Sequence, residues 1–168
     1  MTARPLDGDA AKWSGASVVS VAQLDAPALD LVFATADAMR RDVRSPAGGN
    51  DALRGRVLAC VFYEPSTRTN CSFQTAMHRL GGSVIAVNES TSSVAKGETL
   101  SDTVRSLECY CDAIVLRHPT KGSAATAAAA MRKPLLNAGD GVGEHPTQAH
   151  AAAAAVRVGG EGCGYRYS

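Results

Sequence analysis

Val57-Leu-Ala-Cys-Val-Phe-Tyr-Glu-Pro-Ser-Thr-Arg-Thr69 is the stretch that decides the fold. Residues 57–63 form an unbroken apolar run, the pattern of a strand buried on both faces, and such strands belong to parallel sheets. Helical spacing follows at once. Phe73, Ala76, Met77 and Leu80 fall on one face of a helix over residues 67–80, which Gly81-Gly82 ends. The chain therefore turns from strand to helix at Ser66-Thr67-Arg68-Thr69.

Downstream the alternation repeats. Residues 83–87 read as a second short strand, 88–97 as a polar loop, and 99–110 as a helix with Leu100, Val104 and Leu107 inward. Residues 113–116 read as a third buried strand, 123–131 as an alanine-rich helix and 135–136 as a fourth short strand. Pro146 then opens a last helix. Upstream, Asp25 has the chemistry of an N-cap and Pro27 sits just inside the helix start. Leu29, Val32, Phe33, Ala36 and Met39 share a face of that helix, which Arg40, Arg41 and Arg44 close with charge that suits its dipole. Residues 45–50 form a loop, and residues 13–21 a small edge strand. This order predicts an α/β fold in three layers: a central four-stranded parallel sheet with helices on both faces.

Composition narrows the function. The 168 residues carry a net charge of only +1, which excludes the uniformly basic footprint of a nucleic-acid binder. Charges make up 20% and alternate in sign, unlike a self-repelling disordered chain. No apolar run approaches the roughly 20 residues that span a bilayer, so no membrane partner is expected. Cys60, Cys71, Cys109, Cys111 and Cys163 are odd in number and contain no C-x-x-C pair, which suits reduced intracellular thiols. Asp7 and Asp9 argue against a signal or transit segment at the N-terminus. A cytoplasmic location is expected, or a plastid if a transit peptide precedes this chain.

In open parallel sheets, ligands bind at the carboxyl ends of the strands. The unusual polar residues fall on that edge: Ser66 to Thr69 after the first strand, Lys96 in the loop after the second, Arg117 after the third, and His145 and Gln148 after the fourth. Backbone N–H groups at a helix start favour an anion, and Arg68 adds a planar fork suited to phosphate. A plain N-cap explains the hydroxyls equally well. Taken singly, Arg117 fits a structural ion pair, Lys96 a solvated loop, and His145 a cap or packing residue. Their convergence fits a site that binds a small phosphorylated anion and polarises a carbonyl. There is no nucleophile–base pair and no metal-ligand cluster, so covalent catalysis is not expected. Gly139-x-Gly141-x-Gly143 lacks the dinucleotide spacing and reads as a flexible approach to His145.

Several stretches carry a family resemblance in register: Phe62-Tyr-Glu-Pro-Ser-Thr-Arg-Thr69, Met77-His-Arg-Leu-Gly-Gly82, Lys96-Gly-Glu-Thr-Leu-Ser-Asp-Thr103, Asp112-Ala-Ile-Val-Leu-Arg-His-Pro119, and Asn137-Ala-Gly-Asp-Gly141 with His145-Pro-Thr-Gln148. Together they closely resemble aspartate carbamoyltransferase over residues 18–149. The sister family, ornithine carbamoyltransferase, is the alternative. It usually has cysteine where this chain has Thr147, and it lacks the loop seen here at residues 92–98.

The resemblance implies roles. Ser66, Thr67, Arg68 and Thr69 would hold the phosphate of carbamoyl phosphate. Arg117, His145 and Thr69 would contact its carbonyl oxygen, and Gln148 its amide. Ser92 and Lys96 would reach the site of a neighbouring subunit in a homotrimer. Arg68, Thr69, Lys96, Arg117 and His145 form the catalytic set. The reaction would join carbamoyl phosphate and L-aspartate to give N-carbamoyl-L-aspartate and phosphate in pyrimidine synthesis, with no cofactor.

The family enzyme is about twice this long, and its aspartate-binding domain has no counterpart here. The expected organisation is a disordered leader over 1–17, a carbamoyl-phosphate-binding domain over 18–149, and an Ala/Gly-rich tail over 150–168 foreign to the family. Such biased sequence beside a well-patterned domain points to a frameshift, a retained intron or a truncated isoform. Little stand-alone turnover is expected, and L-aspartate would bind only if a second domain were supplied. A non-catalytic module that assembles with full-length subunits is a further alternative. Thirty alanines also leave little large-residue core, which predicts marginal stability.

Overall fold

A computed structural model describes residues 6–88 and 97–149 of the chain. Four strands, β1 (Val57–Phe62), β2 (Ser83–Asn88), β3 (Ala113–His118) and β4 (Leu135–Asp140), form one sheet in the order β2-β1-β3-β4. All three pairings are parallel. The helices are α1 (Ala26–Arg44), α2 (Thr67–Arg79), α3 (Leu100–Leu107) and α4 (Ser123–Ala130). The three-layer α/β expectation holds.

Strand alternation sorts the core into two layers. Ala59, Val61, Ile114, Leu116 and Leu135 face α3 and α4, meeting Val104, Ala124 and Ala127. Leu58, Cys60, Phe62, Val115 and Ala138 face the other way, where α2 covers them with Met77 and Phe73. Successive side chains of a strand point to opposite faces, so an unbroken apolar run fills both layers. Ala124 and Ala127 are fully covered, and α4 packs on the sheet through these small residues. By contrast, α1 buries only Ala28 and adds no residue to either core cluster.

Several boundaries differ from expectation, each for a local reason. The fourth strand runs six residues rather than two, because Asn137 and Asp140 lie buried within it and are satisfied by hydrogen bonds. Polar residues read as loop only until their partners are known. The third strand extends through Arg117 and His118, so both sit on its end rather than after it. The α3 helix is shorter than predicted, since Thr99 is its N-cap and its last turn ends at Leu107. Residues 13–21 form no strand; Val18 makes one isolated bridge to Leu136 beside β4. The leader expectation is corrected for residues 6–17. Leu6 is buried and bridges Leu24, and Asp9 caps a short 3-10 turn at Ala10–Trp13. The tail at 150–168 and most of the 88–97 loop lie outside the described residues. Among the described residues no helix is long and apolar enough to cross a membrane.

Candidate active site at the carboxyl edge of the sheet

The strand order places β1 and β3 side by side. β1 leads into α2 on one face, while β3 leads into α4 on the other. Connections that part in this way open a crevice at the carboxyl ends, where such folds bind ligands.

On the β1 side, Ser66 is the N-cap of α2, yet its side chain makes no capping hydrogen bond. Asp25 and Thr99 do cap their helices, accepting from Ala28 N and Asp102 N. The plain-cap explanation of Ser66 therefore fails. The first amide of α2 with a helical partner is Asn70 N, 3.0 Å from Ser66 O. The N–H groups of residues 67–69 point out of the helix start, where the dipole favours an anion. Arg68 is exposed and has no ion pair among the described residues. Beside it lies a concavity of about 480 Å³ walled by Phe62, Tyr63, Ser66, Thr67, Cys71 and Asn88 among others.

Arg117 and His145 stand on the opposite side and do not line that concavity. In the β3–β4 register, Leu116 pairs with Asn137 and His118 with Asp140. Ala138 and Gly139 thus face Arg117 alone, a β-bulge of the kind that re-aims side chains near active sites. Arg117 Nη1 donates to Ala138 O at 3.1 Å. Its Nε lies 3.4 Å from Glu64 Oε2, an ion pair without hydrogen-bond geometry. A Cβ on Gly139 would sit 3.0 Å from Arg117 Nη1 and 3.5 Å from His145 Cδ2. Arg117 Nη1 and His145 Cδ2 therefore flank one spot over Gly139, whose φ of +117° favours glycine.

His145 Nε2 is shielded from solvent and has no hydrogen-bond partner among the described residues. Nδ1 lies 3.2 Å from Thr147 Oγ1. Burial, and next the Arg117 charge, hold the His145 pKa below the ordinary 6.5, so the ring is neutral near pH 7. A neutral imidazole with one unspent nitrogen can hydrogen-bond a ligand. Pro146 is buried, and Gln148 N and Ala149 N both donate to His145 O, the start of a helical turn with Gln148 exposed on it.

The structure thus gathers Ser66, Thr67, Arg68, Thr69, Arg117, His145 and Gln148 on one edge, while Ser92 and Lys96 lie outside the described residues. Sequence reading missed Glu64, which pairs with Arg117 and also walls the concavity. It also missed the carboxylates and amide that hold the His145 turn. Asn137 Nδ2 donates to Val19 O and Glu144 O, and Glu144 accepts from Val21 N and Ser20 Oγ. Only their position within the stretch from Asn137 to Glu144 could have flagged them. Among the described residues no group of His, Cys, Asp or Glu could hold a metal ion.

The family model for the carbamoyl-P binding domain of aspartate/ornithine carbamoyltransferase matches residues 16–157. The chain belongs to the aspartate/ornithine carbamoyltransferase family. The catalytic subunit of aspartate carbamoyltransferase from Thermoplasma acidophilum is 53% identical over 133 residues, covering 79% of this chain and 43% of that protein. The multifunctional protein pyr1-3 of Dictyostelium discoideum is 54% identical over 136 residues, 81% of this chain and 6% of its own length. The solved structure of Trypanosoma cruzi aspartate transcarbamoylase in complex with carbamoyl phosphate and aspartate aligns with a TM-score of 0.80 at 41% identity. That alignment covers 86% of this chain and 47% of the other. This member of the carbamoyltransferase family therefore spans less than half the length of these relatives.

Proposed function

We propose that the chain is the carbamoyl-phosphate-binding half of an aspartate carbamoyltransferase of de novo pyrimidine synthesis. One observation carries this reading: an uncapped helix start with Arg68 lies across the β1–β3 crevice from Arg117 and His145, and neither Arg68 nor His145 Nε2 has a partner among the described residues. The first flank suits a phosphate and the second a polarised carbonyl. In the reaction the aspartate amine attacks the carbamoyl carbon of carbamoyl phosphate. Arg117, His145 and Thr69 stabilise the charge that develops on oxygen, and each such donor is worth about 3–4 kcal/mol of barrier. The C–O bond to phosphate breaks, the proton lost by the amine passes to the departing phosphate, and phosphate leaves while held by Arg68 and the start of α2. The neutral state of His145 suits a hydrogen-bond donor rather than a general acid. Gln148 would hold the amide.

L-aspartate would need the half of the family's length that this chain does not span. A homotrimer in the cytoplasm, with Ser92 and Lys96 completing a neighbour's site, belongs to the same reading. Titration calorimetry of the 168-residue chain tests it. Carbamoyl phosphate should bind, inorganic phosphate should compete, and Arg68→Ala should abolish most of the heat. Equal binding by the variant would refute the site, and production of carbamoyl aspartate by the chain alone would refute the half-enzyme reading.

A further inference from the structure

Asp140 is buried at the end of β4. Its two carboxylate oxygens join the turn after β3, the strand that carries Arg117, to the loop that leads into His145. Oδ2 accepts from Gly122 N at 2.8 Å, in the turn that follows Arg117 and His118 and caps α4. Oδ1 accepts from Glu144 N at 2.6 Å, the residue immediately before His145. Backbone bonds reinforce the second link: Gly143 N donates to Asp140 O, and Asp140 N to Glu144 O.

The surrounding glycines are spaced for this carboxylate. A Cβ on Gly143 would collide with the Asp140 Oδ1 and Cγ, and one on Gly141 with the carbonyl of Pro119 in the β3–α4 turn. The Gly139-x-Gly141-x-Gly143 run is therefore a set of three close approaches rather than a flexible linker: to Arg117, to the β3–α4 turn and to Asp140. Two charge-assisted hydrogen bonds from one carboxylate fix the loops against each other.

We propose that Asp140 is a positioning residue: by bridging Gly122 N and Glu144 N, it holds His145 over Gly139 against the Arg117 guanidinium. Asp140 touches no reacting atom. It acts through the path of the 141–145 turn, and the consequence rests on the carbamoyl-phosphate reading above. Shifts of about 1 Å in such groups cost on the order of a hundredfold in function. Among the described residues, the charged groups on the site side of His145 are Arg117 from β3 and, behind it, Glu64 after β1. Glu144 precedes the ring but turns its carboxylate to Ser20 and Val21.

The test uses the full 168-residue chain and two variants. Asp140→Asn keeps the shape but must offer an NH₂ to one of the two N–H donors. Gly143→Ala leaves Asp140 intact and pushes a methyl into its carboxylate. NMR titration of the four histidine rings reads the outcome, and circular dichroism reports the fold. In the parent chain His145 should titrate below the ordinary histidine value. In both variants it should move back up toward that value while the sheet stays folded. Carbamoyl phosphate affinity should fall about tenfold in each. An unmoved His145 titration in folded variants would overturn the proposal, leaving Asp140 a structural peg. Loss of the whole fold in both variants would overturn it as well. If the parent chain binds no carbamoyl phosphate, the functional reading fails, while the histidine titration still decides the role of Asp140.

Discussion

The two flanks of the β1–β3 crevice hold their polar groups in opposite ways. On the β1 flank, the side chains of Ser66, Thr67, Arg68 and Thr69 make no hydrogen bond or ion pair among the described residues. Their donors are unspent. On the β3–β4 flank nearly every group is tethered: Arg117 to Ala138 O and Glu64, Asn137 to Val19 and Glu144, and Asp140 to Gly122 and Glu144. Under the proposed function, the difference follows two chemical tasks. A phosphate brings its own charge and can order flexible donors as it binds. A carbonyl oxygen gains charge only as it reacts, so its donors must already be in place to help.

Breaking the tethered flank should have the largest effect. Arg117→Ala removes a cation from a partly buried pair and leaves the Glu64 carboxylate alone beside the site. The ligand loses a charge-assisted bond worth about 1.5–3 kcal/mol and meets an uncompensated like charge besides, so carbamoyl phosphate affinity should fall on the order of a hundredfold or more. Calorimetry reads this directly, and a loss below tenfold would mean that Arg117 serves the fold and not the ligand. Arg68→Ala on the open flank comes next. A charge-assisted bond is worth about 1.5–3 kcal/mol, which predicts a loss of roughly ten- to hundredfold. The contrast lies in stability. Arg68 is exposed and has no ion pair among the described residues, so its variant should melt at the parent temperature, whereas the Arg117 variant should melt lower.

The two flanks were also unequally legible in the sequence. Ser66 to Thr69 stand at a strand-to-helix turn marked by an unbroken apolar run and helical spacing, so their place on the edge could be read without coordinates. Sequence alone could not say whether Ser66 caps α2, because a cap and an anion site use the same hydroxyl; only its missing hydrogen bond decides. The other flank was mostly hidden. Asn137, Gly139 and Asp140 have the composition of a loop, yet they finish a buried strand. Their burial depends on partners far away along the chain, Val19 among them, which no local pattern reveals. The bulge opposite Arg117 and the Glu64 pair are likewise products of register between strands. The sheet itself was readable, because strands buried on both faces need nothing but apolar residues.

Caps sharpen the same contrast at a smaller scale. Thr99 accepts from Asp102 N, and its hydroxyl also donates to Asp102 Oδ2 at 2.6 Å. Thr99→Ala should cost about 1 kcal/mol of stability. Ser66→Ala should cost almost none, since no capping bond is lost, and should instead weaken carbamoyl phosphate binding. Paired urea melts and calorimetry separate the two. A stability loss at Ser66 equal to that at Thr99 would restore the plain-cap explanation.

The smallest effect comes from the pH dependence of the tethered flank. Burial and Arg117 lower the His145 pKa in the folded chain, while the unfolded chain keeps a value near the ordinary 6.5. Between the two values the unfolded state binds more protons, so stability falls as pH drops. This contribution is fully present above about pH 6.5 and is lost as pH falls through the folded value. Asp112, whose carboxyl is held low by the Val57 amide and Arg56, acts in a separate window that opens around its ordinary 3.8. Melts taken from pH 8 down to pH 5 should therefore show a modest fall in Tm that begins in the histidine range. His145→Gln should flatten that fall without altering the acid limb set by Asp112. A fall that persists unchanged in His145→Gln would place the titrating group elsewhere and would remove the electrostatic coupling between His145 and Arg117 from the account of this flank.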